Sequence, residues 1–131
     1  MNKSKNSQTG AVGEKIASIF LKRKGFRIIE FNFRKPWGEI DIVAEKGGFV
    51  HFVEVKAVSR EVINGSREID YRPEEMVTRS KLVKVARTAT LYMESKKDSR
   101  EFQIDVVGVI MDSQKRLAKC RYFPQVLEDN L

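Results

Sequence analysis

Apolar residues recur along this chain with two different periods, and the changes of period mark its elements. Between Gly10 and Lys24, Val12, Ile16, Ile19 and Phe20 fall at helical spacing, and Gly25 follows where a helix-ending glycine belongs. The stretch "FRIIEFNFR" (26–34) changes to alternation, with Phe31 and Phe33 set between polar neighbours, which predicts a strand. Pro36 and Gly38 interrupt it. Two β-rich runs then flank Gly47-Gly48, a pair suited to a tight hairpin because primed turns need positive φ. From Ser59 to Val77 no period is sustained, and a long functional or mobile loop is expected there. Helical spacing returns from Arg79 to Ser95, with Thr78 as N-cap and Leu82, Val85, Ala86, Ala89, Tyr92 and Met93 on one face. The run "FQIDVVGVIM" (102–111) and the segment near Leu117–Phe123 read as the last strands.

The resulting order is helix, three strands, helix, two strands, which suggests an α/β or α+β sheet with helices packed on it. A chain of 131 residues has room for one core, so residues 10–131 are expected to form a single domain behind a flexible basic leader, 1–9. That leader is polar, carries two lysines and lacks the apolar centre of a secretion signal. No apolar run approaches the roughly 18 residues of a membrane span, so no membrane partner is expected. The lone Cys120 allows no internal disulfide, which points to the reducing cytoplasm and excludes an all-cysteine zinc site.

Charge changes the picture. Lys and Arg number 25 against 18 Asp and Glu, a net +7, which makes a polyanion such as nucleic acid a candidate partner. Solubility alone accounts for such an excess equally well.

The segment "GEIDIVAEKGGFVHFVEVKA" (38–57) is more specific. With a two-residue turn at Gly47-Gly48, Lys46 faces Phe49, which sets Asp41 directly opposite Glu54 and Glu39 opposite Lys56. Alternation then groups Glu39, Asp41 and Val43 with Phe52, Glu54 and Lys56, and leaves Ile40, Ile42, Val53 and Val55 to a core face. Opposed Cβ atoms lie about 4.5–5.5 Å apart, so two like charges there are unfavourable unless something positive sits between them. A divalent cation such as Mg²⁺ relieves that repulsion and is typically held by one or two carboxylates. A lysine two residues on is placed to meet a phosphate or orient water. The alternative is a wet sheet face, with Glu39 cross-paired to Lys56 and the two acids merely tolerated.

With Ile40-Asp41 and Glu54-Val55-Lys56 laid out, the sequence resembles the PD-(D/E)xK nuclease superfamily. Glu14 sits where archaeal Holliday junction resolvases of that superfamily carry an acid. The blocks "GEKIA", "GEIDIVA", "FVEVK" and "FQIDVV" together resemble, more narrowly, the bacterial YraN family. The resemblance covers about Gly10 to Ile110 and implies an α/β, restriction-endonuclease-like fold of order αβββαββ, a central mixed sheet flanked by helices. It also implies that Asp41 and Glu54, helped by the Val55 carbonyl and completed by Glu14, bind Mg²⁺, with Mn²⁺ as a possible substitute. Lys56 would position or activate water. The expected function is then a Mg²⁺-dependent, structure-selective DNA endonuclease acting on branched or processed DNA, resolvase-like, a task that predicts a homodimer. RNA is left open. The alternative is a binding module that keeps the fold with little or no cleavage.

Other residues are weighed singly. Glu14 also suits a helix first turn. Lys81 and Lys84 of the second helix, and Arg60, Arg67 and Arg72 of the long loop, are candidate phosphate contacts. Arg87 lies on the same polar face as Lys84. His51 is read as a core or edge histidine, and Asp105 as a structural acceptor for a neighbouring loop. Trp37 is read as packing on the core, with stacking on a base as the alternative. The strand "FRIIEFNFR" is the candidate dimer surface.

Overall fold

Side-chain alternation along one sheet sends two sets of apolar residues to opposite faces, and each set takes a helix. The computed structural model describes residues 5–59, 72–112 and 114–127. Its elements are α1 (Lys5–Arg23), β1 (Arg27–Lys35), β2 (Gly38–Lys46), β3 (Phe49–Ser59), a short 3-10 turn (Pro73–Met76), α2 (Arg79–Ser95), β4 (Phe102–Asp112) and β5 (Leu117–Phe123). The strands lie in the order β1-β2-β3-β4-β5. All neighbours are antiparallel except β3 and β4, which run parallel because α2 carries the chain back between them. The order and mixed sheet are those expected, and are consistent with a restriction-endonuclease-like fold.

One core joins Leu82, Val85, Ala89, Tyr92 and Met93 of α2 to Val43, Phe52, Ile104 and Val106. The other joins Ala17 and Leu21 of α1 to Ile42, Val53, Val107 and Val109. The sheet is therefore buried on both faces, which is why β3 and β4 read as nearly continuous apolar runs.

The helix ends follow local chemistry. Gly25 adopts φ 95°, and the Phe26 N–H returns to the Leu21 carbonyl at 3.0 Å, ending α1 where the sequence implied. At the other end α1 starts at Lys5 rather than Gly10, since residues 5–9 contain no breaker and the packed helix propagates through them. Thr78 caps α2 by accepting the Lys81 N–H at 3.1 Å.

Gly13 determines how close α1 comes. A Cβ there would lie 2.2 Å from the Ala57 Cβ, so only glycine lets this turn of the helix rest on β3. The next residue is Glu14.

Candidate active site where β2 and β3 part

The hairpin register is the one that Gly47-Gly48 implies. Lys46 pairs with Phe49, and the ladder continues through Ala44–His51 to Ile42–Val53. There it stops. The expected direct pairs Asp41–Glu54 and Glu39–Lys56 are not formed. Asp41 Oδ2 instead accepts the Val55 backbone N–H at 2.8 Å, so a carboxylate takes the place of a backbone carbonyl. Glu39 turns to Arg34 and Lys81, each 3.4 Å away, and not to Lys56.

The departure from regular pairing also redistributes the core. Ile40 packs with Val43 and Phe52 on the α2 side, whereas Ile42 packs with Ala44 and Val53 on the α1 side. Two residues apart in a regular strand should share a face. β2 therefore turns about its axis at Asp41, and the expectation that Ile40 and Ile42 share a face is corrected. The neighbouring strand is irregular at the same level. Asn32, between Phe31 and Phe33 whose partners are Ile42 and Ile40, has φ 50°, a left-handed conformation that asparagine tolerates better than most residues. With its amide turned so that nitrogen faces the acid, Asn32 donates to both Glu14 oxygens at 3.0 and 3.2 Å.

Glu14 from the α1 side and Lys81 from the α2 side thus meet the gap that Asp41 and Glu54 line. Burial raises the Glu14 carboxyl to about 7, and the nearby Asp41 charge adds to the rise. Burial and then the same Asp41 charge push Glu54 to about 8. Asp41 is itself raised by burial, against the pull of the Val55 N–H. Glu54 Oε2 is buried and has no hydrogen-bond partner among the described residues, although the Asp41 carboxyl lies beside it. Such an orphaned oxygen is costly unless a ligand completes it.

Among the described residues no three His, Cys, Asp or Glu side chains form a ready-made cation cage. The donor set instead fits a hard cation of the Mg²⁺ type, which takes one or two carboxylates and keeps several waters. Lys56 follows two residues after Glu54 on the same face of β3, since Val55 and Ala57 pack on the opposite, α1 side. It forms no ion pair among the described residues.

The remaining candidates divide. Lys84, exposed on α2, lines a cleft beside the site. Arg72 is exposed and lies 3.8 Å from Glu75. Arg60 and Arg67 lie outside the described residues. His51 and Asp105 are both buried and joined at 2.7 Å, and Asp105 also accepts from Gln103, Tyr122 and the Gln125 backbone. Burial opposes its ionisation, yet these donors, His51 foremost, hold its carboxyl below the usual range. Its structural role, tying the segment after β5 to β4, is as expected. Asn32 was not singled out from sequence; its signal was an asparagine between two phenylalanines in an otherwise alternating strand.

A model of the uncharacterised protein family UPF0102 matches residues 13–109, which include every residue of the carboxylate cluster. A UPF0102 protein of Campylobacter hominis is 38% identical over 105 residues, 80% of this chain and 86% of its own. One of Dictyoglomus thermophilum is 32% identical over 119 residues, 89% of this chain and 94% of its own. Another, of Wolinella succinogenes, is 38% identical over 98 residues, 75% and 82% of the two chains. With these matches spanning both helices and the strands that carry the cluster, the chain belongs to the UPF0102 family, the YraN group that its motifs resemble.

Proposed function

We propose that this protein is a divalent-cation-dependent, structure-selective DNA endonuclease with a resolvase-like task. The observation that carries the reading is Glu54 Oε2, buried and unpartnered beside Asp41 at a place where the sheet gives up a ladder rung. Asp41, Glu54 and the Val55 carbonyl would hold Mg²⁺ or Mn²⁺, with Glu14 completing the set. When bound, the cation supplies neutralisation of the phosphodiester charge and a lowered pKa for attacking water.

The chain's own groups do the rest. Asn32 orients Glu14 by donating to both of its oxygens. The Val55 N–H fixes Asp41. Lys56 holds the attacking water or meets charge developing on the phosphate, and Lys81 takes a non-bridging phosphate oxygen. The net charge of +7 draws a polyanion to the surface. Resolving a junction takes two cuts, so we infer a homodimer as well. Its proposed surface is β1, an edge strand on which Ile29 and Phe31 are exposed.

A nucleic-acid-binding module without cleavage is the second reading, favoured by the lack of a three-ligand cage among the described residues. Cleavage of a labelled panel of junction, flap, single strand and duplex, in DNA and RNA, separates the two. Metal-dependent cutting abolished in both Asp41→Ala and Lys56→Ala supports the nuclease. Salt-sensitive binding without cutting in all three proteins supports the module.

A further inference from the structure

A cleft of about 390 Å³ opens beside the carboxylates, between the β1–β2 turn and the outer face of α2. Lys35, Trp37, Glu39, Lys84 and Arg87 line it, and its size falls in the range of small-ligand sites. The walls are fixed by a close approach. A Cβ on Gly38 would lie 2.0 Å from Thr88 Oγ1, so the turn rests directly on α2, and the Thr88 hydroxyl donates to the Lys84 carbonyl at 2.9 Å. Next to that contact, Trp37 is 57% exposed instead of packing on the core as expected.

The lining carries three cations and one acid. Glu39 is already engaged by Arg34 and Lys81, and no ion pair to Lys35, Lys84 or Arg87 is found among the described residues. An exposed indole among unneutralised cations suits a group with a flat π face and flanking negative charge. Glu39 also ties the cleft to the site, since its partner Lys81 acts on both Asp41 and Glu54.

We propose that this cleft receives one unpaired nucleobase, stacked on Trp37, with Lys35, Lys84 and Arg87 meeting the adjoining phosphates. The proposal rests on the nuclease reading and narrows its substrate. A base inside an intact duplex has no free face, and extruding it costs a few kcal/mol. The favoured strand therefore carries an unstacked nucleotide next to the cut, as a flap or a branch point does.

Trp37 is the one tryptophan in the chain, so its emission reports this cleft. The test titrates the full-length protein, in EDTA, with a labelled thymidine octanucleotide and with an abasic octamer of equal phosphate count. Trp37 emission should be quenched by the thymidine strand alone, which should also bind about tenfold or more tightly than the abasic one. Trp37→Ala should erase that difference with abasic binding and thermal midpoint unchanged, and Lys84→Ala should weaken both strands alike. Equal binding of the two strands with unchanged emission would overturn the stacking site while leaving nucleic-acid binding intact. Failure of both strands to bind would overturn the proposal together with the reading beneath it.

Discussion

Asp41 accepts the Val55 backbone N–H at 2.8 Å, and that single bond holds β2 to β3 at the point where their ladder has ended. Asp41 thus has two separable duties, as an acceptor that seats the strands and as a charge in the cluster. Asp41→Asn keeps an oxygen for Val55 and removes the charge that raises Glu14 and Glu54. Its thermal midpoint at about pH 8 should equal or exceed that of the wild type. Asp41→Ala leaves the N–H unpaired and should be about 1–3 kcal/mol less stable than Asp41→Asn. Calorimetric titration with Mg²⁺ should find both variants without the site's binding heat.

Stability should depend on pH through Glu14 and Glu54. Both carboxyls are raised, from 4.5 to about 7 and about 8, so the fold favours their protonated forms. Their contribution is complete below about pH 4.5 and is lost as pH rises through the folded values. The metal-free protein should therefore lose stability between about pH 5 and 8.5, and Glu54→Gln should flatten the curve. A wild-type curve parallel to that of Glu54→Gln would contradict the burial of a charged Glu54. Thermal unfolding across this range decides it.

Gly13→Ala tests the seat of α1. The added methyl meets Ala57 Cβ at 2.2 Å, and overpacking of this kind costs about 1–3 kcal/mol, more than the gain in helix propensity. The double variant Gly13→Ala/Ala57→Gly should recover much of the loss, because it restores the space on the strand side. Chemical denaturation of the two variants measures the recovery.

Asp105→Ala should be among the most damaging substitutions away from the site. It strips an acceptor from His51, Gln103, Tyr122 and the Gln125 N–H at once, in a place with no exposure. A loss of about 3–5 kcal/mol is expected. Hydrogen exchange should show the Gln125 amide losing protection first.

Features set by neighbouring residues were legible in the sequence. The Thr78 cap, the Gly25 stop and the Gly47-Gly48 register each depend on a few adjacent positions, and each stands where the pattern put it. The acids of the cluster were legible as well, since charges inside two apolar runs need a reason. Their geometry was not. A regular ladder predicts Asp41 facing Glu54, but the actual arrangement arises from a side chain outcompeting a carbonyl for one N–H, together with a left-handed Asn32 on the next strand. Partner choice was equally hidden. Glu39 belongs to Lys81, 42 residues away, and only the docking of α2 reveals it. Trp37 stands exposed where its pattern implied packing, and the close contact beside it is made by a glycine, which no apolar pattern marks.

The end of the β2–β3 ladder at Ile42–Val53 divides the residues of the site between two supports. The stretch from Gly38 to Asp41 continues along β1 and leans on α2, so Trp37, Glu39, Lys81, Lys84 and Arg87 share one frame. Glu54 and Lys56 stay on β3, locked to β4 through Ser59 and to α1 at Gly13. Asp41, through its bond to the Val55 N–H, is the seam between the two, and the core that α2 shares with Phe52, Ile104 and Val106 ties both to one sheet.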